Sequence, residues 1–237
     1  IVELSGKLLL DGEAERLAYA YVEEMGISRE LIALAVSISH ENLQVLTRQE
    51  LYRFRIDTRD FVESAWTLEK APRPSVRKMA QVRHSDGFRR LEWQLLCESN
   101  MHARLVFVDE LGKDAAAVRI VAMTAGSAKP PQFSRFPIRF GGYEGWSAMI
   151  TPDTMKSLFA VSRLGLGQST LLPDGRATSS FFEIETRGLE SAWTKLSAIC
   201  RAAQAKAPGV KWPLQPALPQ LPPQVSEGLP SRPAPTK

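Results

Sequence analysis

The two cysteines are the residues of this sequence that could most clearly take part in chemistry, because their thiols can form a disulfide. Cys97 falls late in a predicted strand and Cys200 late in the last predicted helix. If their sulfurs meet, the disulfide closes a loop of about 100 residues, which the chain-entropy model values at about 4–5 kcal/mol. The residues alone leave a second interpretation open, in which both are buried free thiols that pack as small hydrophobes. Their spacing excludes a C-x-x-C redox site.

The three histidines, His40, His84 and His102, have no helical spacing relative to one another. A metal site of His84, Cys97 and His102 would need a turn that brings His102 back beside Cys97, and its spacing matches no standard zinc pattern. We therefore expect surface or half-buried histidines, and we predict neither a metal nor any other cofactor.

Serine and glycine motifs give no stronger indication of catalysis. The spacing of Ser75 and Lys78 matches S-x-x-K, but no S-D-N or K-T-G accompanies it, and G-x-S-x-G does not occur. The glycines at 141–145 lack G-x-G-x-x-G order, and those at 165–170 lack the lysine of a phosphate-binding loop. Both glycine runs are interpreted as turns between strands, and no residue is assigned a catalytic or cofactor-binding role.

Arginines and phenylalanines alternate in the middle of the chain, a pattern that can bind single-stranded nucleic acid by stacking and phosphate contact. Acidic residues are interspersed among them, and no RNP or helix-turn-helix pattern occurs. We interpret the region as a solvated, mildly basic face and predict no nucleic-acid partner. The residues concerned are Arg89, Arg90, Arg135, Arg139, Phe133, Phe136 and Phe140.

Composition places the chain among ordinary globular proteins. It has 237 residues, of which 44% are hydrophobic and 24% charged, and this length allows one large domain or two small ones. No stretch approaches the roughly 20 apolar residues of a membrane-spanning helix, so no membrane span is predicted. Net charge divides the chain into residues 1–70 at −5, residues 71–207 at +7 and the rest at +2. The sign changes at Ala71–Pro74, where two prolines also break regular structure.

Residues 1–70 are predicted to be a helical segment. A helix capped by Asp11 should run to Met25, with Leu17, Tyr21 and Met25 on its apolar face. Ser28 is expected to cap a second helix, and a capping box at Thr47-Arg48-Gln49-Glu50 begins a short third one, with Leu51 and Phe54 on its buried face. Three short helices make a thin core, so we do not expect this segment to be a complete domain.

Residues 75–206 are predicted to be an α+β module that is rich in strands and closed by a helix. Strands are expected at 88–98, 103–108, 118–121 and 179–186. Gly188 opens the closing helix, whose apolar stripe contains Leu189, Ala192, Trp193, Leu196 and Ile199–Cys200. Nine of the 16 prolines lie between Pro208 and Pro235, so residues 207–237 are interpreted as a disordered, Pro-rich tail.

Two stretches resemble known families. The runs AYAYVEEMGIS (18–28), ELI (30–32) and LTRQEL (46–51) resemble the helices that follow the catalytic core in periplasmic proteins of the Clp-protease/crotonase superfamily, mostly alphaproteobacterial. The core strands and the catalytic glycine and serine turns of that family have no counterpart here. The resemblance therefore implies that the chain is the C-terminal part of a longer protein, and it transfers no catalytic residue.

The second resemblance is fainter and covers residues 88–200. WQLLC (93–97) and FEIETRGLESA (182–192) are similar to the invasion-associated locus B family of secreted and envelope proteins. Both families imply a periplasmic or secreted location, and this favours the Cys97–Cys200 disulfide over free thiols.

The leading hypothesis is a non-catalytic, binding or structural C-terminal portion of an exported bacterial protein, whose partner is its own upstream crotonase-like half. One alternative is a serine-peptidase-like hydrolase whose catalytic residues lie upstream of this chain. The other is an envelope or host-interaction protein with envelope proteins as partners.

Overall fold

The computed structural model describes residues 2–4, 7–9, 12–39, 42–70, 73–98, 102–112, 118–124, 130–171 and 174–206. Within these ranges the helices are α1 (Gly12–Glu24), α2 (Glu30–Ser37), α3 (Arg48–Arg53), α4 (Pro152–Ala160) and α5 (Leu189–Lys206). The strands are β1 (Val2–Leu4), β2 (Lys7–Leu9), β3 (Phe61–Glu63), β4 (Thr67–Glu69), β5 (Ser75–His84), β6 (Gly87–Cys97), β7 (Ala103–Glu110), β8 (Val118–Thr124), β9 (Ile138–Phe140), β10 (Tyr143–Ile150), β11 (Arg163–Leu171) and β12 (Ala177–Glu185).

Antiparallel pairing joins most of the strands into two sheets. The large sheet has seven strands in the order β3-β5-β6-β7-β10-β9, with β4 also paired to β5. The small sheet has the order β12-β11-β8, and β1 pairs with β2 alone. Helices combined with antiparallel sheets and a C-terminal helix confirm the predicted α+β character, whereas the predicted tail lies outside the described residues.

The core lies on one face of the large sheet. Trp93, Phe107 and Trp146 stand directly opposite one another on β6, β7 and β10 and are fully buried. The small sheet covers them with Leu166 and Ile184, and helices α4 and α5 supply the remaining cover in the same cluster. The small sheet and the two helices therefore form the second layer of the fold.

Long arginine side chains cover part of the opposite face of the large sheet. Arg77 lies between Glu92, at 2.6 Å, and Glu69, at 2.9 Å, and Arg90 approaches Glu92 at 3.1 Å. Burial would lower the pKa of Arg77, but the hydrogen bonds and charges of the two carboxylates outweigh it and hold that pKa above its ordinary value. Arg77 thus stays charged while Glu92 is shielded from water.

The N-terminal segment agrees with the prediction only in part. The capping box of Thr47 and Glu50 is confirmed, and Phe54 is fully buried. Leu17, Tyr21 and Met25, which the sequence places on one apolar face of the first helix, are all more than half exposed. Strands β3 and β4 precede the predicted boundary at residues 71–74 yet pair with β5 in the large sheet. The segment is therefore not helical to residue 70, although its separation as a domain stays a prediction.

Gly165 and Gly167 correct another expectation, because they lie inside β11 and do not form a turn. A Cβ on Gly165 would lie 2.4 Å from Oγ1 of Thr124 and 2.6 Å from the ring of Phe181. A side chain at this position would require Thr124 and Phe181, which lie on the two neighbouring strands, to move. Gly141 and Gly142 do form the predicted turn, between β9 and β10.

The closing helix provides a stability test that separates burial from side-chain size. Leu196 is fully buried, whereas Trp193, which the sequence places in the same stripe, is only partly buried. Leu196→Ala should lower the free energy of unfolding by about 2–5 kcal/mol, and Trp193→Ala should cost less than Leu196→Ala. Urea denaturation measures both, with the exposed Lys195→Ala as control. Equal losses for the two core variants would contradict the described packing of α5.

The two glycines of β11 provide a matched pair of variants. Gly165→Ala should destabilise the protein by about 1–3 kcal/mol, because its new methyl group overlaps Thr124 and Phe181. Gly167→Ala should change stability by about 0.5 kcal/mol or less, since the nearest atom to its Cβ would lie at 3.9 Å. Thermal unfolding of both variants checks this, and the reverse order of stability would show that β11 has a different register.

Candidate functional site

The site to which the sequence points is the junction of β6 with α5. Cys97 ends β6, Cys200 lies in the last part of α5, and the structure joins their sulfurs in a disulfide with the two Cα atoms 6.4 Å apart. The exposed fractions are only 7% for Cys97 and 8% for Cys200. The bond therefore fastens the closing helix to the large sheet, and solvent has little access to it.

Charged groups fix the strand end beside the disulfide. Nη2 of Arg73 donates to the carbonyl of Cys97 at 2.9 Å and lies 3.6 Å from the carboxylate of Glu98. Nε of Arg104 donates to the same carboxylate at 2.7 Å, and the amide of Glu98 donates to the carbonyl of His102. These bonds hold the segment that carries Cys97 in place, so the cysteine is presented to α5 by a fixed backbone.

The structure separates the other residues that the sequence singled out for chemistry. His84 pairs with Gly87 at the opposite end of β6, about 30 Å along the strand from Cys97. His102 does lie beside Cys97, but the disulfide removes that thiolate as a ligand. Among the described residues no group of three or more His, Cys, Asp or Glu side chains could hold a metal ion. His40 lies outside the described ranges.

Ser75 and Lys78 do not form a dyad. Both lie in β5, where a separation of three residues directs their side chains to opposite faces of the sheet. Lys78 is buried on the core face, opposite Trp93, whereas Ser75 is opposite Leu96. The S-x-x-K spacing therefore does not bring the two side chains together in this strand.

Carboxylates of the same chain engage three of the four arginines considered for nucleic-acid binding. Arg89 pairs with Asp86 at 3.0 Å, Arg90 with Glu92 at 3.1 Å and Arg139 with Glu144 at 2.7 Å. Arg135 instead lies over the ring of Phe136, with 5.4 Å from its guanidinium carbon to the ring centroid. Phe133 packs against the core. These contacts leave the four arginines in local pairs and do not assemble them into one basic groove.

A polar junction between the two layers has no signal in the sequence analysis. Nζ of Lys78 donates to the carbonyl of Ser64 at 2.7 Å and pairs with Glu63 at 3.1 Å. Glu63 in turn accepts from the amide of Glu185, and Nε1 of Trp66 donates to the carbonyl of Glu185 at 2.9 Å. Side chains from β3, β5 and the β3–β4 connection thus hold the last residue of β12, which lies more than 100 positions further along the chain.

A second bridge joins the layers at the other end of the small sheet. Nε2 of Gln168 in β11 donates to Asp109 in β7 at 2.7 Å, and the hydroxyl of Ser180 lies 3.2 Å from the amide oxygen of Gln168. Asp109 and Gln168 are both buried. Both buried bridges connect elements of the fold, so their polar groups act within the structure.

An open cleft of about 610 Å³ lies where α4 ends and α5 begins. Its wall combines the apolar end of α4 with Arg163, Glu185 and Arg187. The charges have mixed sign and are largely solvated, with the side chains of Arg163 and Arg187 57% and 87% exposed. The cleft is therefore a weak candidate for a charged ligand, because water screens both arginines.

This chain has few detectable similarities to known proteins. No family model matches this chain, and no curated protein matches it. One similar solved structure is the crystal structure of invasion associated protein B from Bartonella henselae, which is 10% identical, covers 60% of this chain and 98% of its own, and has a TM-score of 0.41. This weak neighbour corresponds to the second family resemblance. None of the comparisons supports the resemblance to the Clp-protease/crotonase superfamily.

Within the described ranges, no helix combines the length and the hydropathy of a membrane-spanning segment.

Loss of the disulfide should measure its effect on stability directly. The double variant Cys97→Ser/Cys200→Ser frees a loop of 103 residues in the unfolded chain and should lower the free energy of unfolding by about 4–5 kcal/mol. Guanidinium denaturation with and without dithiothreitol checks this. Reductant should weaken the unaltered protein and leave the double variant unchanged. If dithiothreitol lowered the stability of the unaltered protein and of the double variant equally, the result would contradict a Cys97–Cys200 disulfide.

Proposed function

We propose that this chain is a binding or structural part of a protein exported from the bacterial cytoplasm, to the periplasm or beyond the cell. The observation that carries the proposal is the buried disulfide between β6 and α5. Disulfides persist in oxidising compartments and are rare in the cytosol, where thiols are kept reduced. A bond that ties the last helix to the centre of the large sheet contributes to the fold itself.

The structural role in this proposal agrees with how the chain uses its polar side chains. Buried Lys78, Asp109 and Gln168 and half-buried Glu63 connect one element with another, and Arg73 and Arg104 hold the strand end at the disulfide. These residues support a rigid module. The two further hypotheses, an upstream Clp/crotonase-like hydrolase half and an envelope or host-interaction role, stay predictions.

The state of the cysteines in cells tests the proposal. The native protein is alkylated under denaturing conditions without reductant, and its intact mass is measured in the periplasmic, secreted and cytosolic fractions. We expect an exported protein with no alkyl group on Cys97 or Cys200. The variant Cys97→Ser is the control, because its remaining thiol must react. Two alkylated thiols on a cytosolic protein would overturn the proposal.

A further inference from the structure

Helix α1 carries two adjacent apolar rows, and the described residues cover only one of them. Val22 is buried, and Ala14 and Ala18, which precede it at helical spacing, are half-buried. The neighbouring row consists of Leu17, Tyr21 and Met25, whose exposed fractions are 55%, 61% and 58%. This row, the α1 stripe, runs about 12 Å along the helix, since each residue rises 1.5 Å.

Helix α2 shows the same imbalance independently. The residues between Glu30 and Ser37 are all apolar (LIALAV), and a helix that is apolar all round is normally buried. Every residue of α2 is nevertheless half-buried or exposed. Contiguous apolar surface of this kind, bordered by polar residues, marks interaction sites. Two successive helices thus present surface that the described chain leaves uncovered.

The shape of the α1 stripe favours a helix as its occupant. Side chains at i, i+4 and i+8 form a ridge that packs into the groove of a second helix. Helix-in-groove recognition uses this spacing. In it, a few apolar side chains on one helix contact the apolar face of another.

The charges around the α1 stripe favour a basic helix as its partner. Glu13 precedes Leu17 by four residues and Glu24 follows Tyr21 by three, so exposed carboxylates border the stripe within one turn. Residues 1–70 as a whole have a net charge of −5. A second copy would bring two acidic segments together, which like-charge repulsion disfavours, whereas a basic partner gains complementary charge.

We propose that the α1 stripe of Leu17, Tyr21 and Met25 is a docking surface for a basic amphipathic helix of a partner protein. This rests on the proposed binding role and names the chemistry of the partner. The two are tested separately, because the cysteine and compartment measurement does not depend on α1.

The test uses fluorescently labelled synthetic helices of about 18 residues, or five turns. One peptide has leucines on one face and lysines on the other. A second has the same leucine face with glutamates, and a third has the leucine–lysine composition in scrambled order. Fluorescence anisotropy against the purified chain should show binding of the leucine–lysine helix, with weaker binding of the other two by at least about tenfold.

Variants locate the binding on α1. Leu17→Asn/Tyr21→Asn should weaken binding of the leucine–lysine helix by about tenfold or more, and Glu13→Gln/Glu24→Gln should weaken it and reduce its salt dependence. Phe136→Asn is the matched control, since Phe136 is 73% exposed and lies far along the chain from α1. All the substituted side chains are exposed, and circular dichroism and thermal unfolding verify that each variant folds.

The following results would overturn the proposal. The first is no detectable binding of the leucine–lysine helix. The second is equal binding by the unaltered chain and Leu17→Asn/Tyr21→Asn, or equal binding of the lysine and glutamate helices. The third is a dimer of the unaltered chain, seen by light scattering, that Leu17→Asn/Tyr21→Asn converts to monomer, which would make a second copy the occupant.

Discussion

Burial of one face of the large sheet is the constraint on which the rest of the structure depends. Trp93, Phe107 and Trp146 form a continuous aromatic row across three strands, with ring centroids 5.3 and 5.7 Å apart. Such rings bury large areas and must be covered. The small sheet covers them through Phe182, which contacts both Trp93 and Phe107, and Leu196 of α5 belongs to the same buried cluster. The disulfide then fixes a packing that the aromatic row already requires.

The polar bridges between the two layers determine how the layers align more than they add to the stability of their packing. Replacing a buried ion pair by apolar residues is often neutral or stabilising, whereas removing one partner is costly. Glu63 pairs with Lys78 and also accepts from the backbone of Glu185. Displacing β12 along the large sheet would therefore break the contact with Glu63, and the bridge between Gln168 and Asp109 imposes the same condition further along. We infer that the bridges select one alignment of the layers.

The sequence predicted the elements that depend on residues close together in the chain, such as helix caps and helical apolar stripes. The capping box at Thr47 and the apolar stripe of α5 both lie within a few residues. The capping box is confirmed, and so is the stripe apart from the partial exposure of Trp193 and Ile199. Helix α4 was missed although Thr151 caps it and Pro152 occupies its first turn, a signal that was present in the sequence. Gly165 was misread because its requirement comes from Thr124 and Phe181 on other strands. The junction around Lys78 had no local signal, since its members are brought together only by the completed sheets.

The N-terminal helices are stabilised differently from residues 75–206, because two of the three bury little apolar surface. Helices of eight and six residues, such as α2 and α3, are too short to be stable alone in water and depend on tertiary contacts. Helix α3 has such contacts, through buried Phe54 and through Arg48 over the ring of Phe88. Among the described residues, α1 buries only Val22 and α2 buries none of its side chains, and the ion pair between Arg29 and Glu23 is exposed and therefore weak. Their helical state should thus depend on what covers their apolar surface, which would couple folding of this segment to the proposed docking.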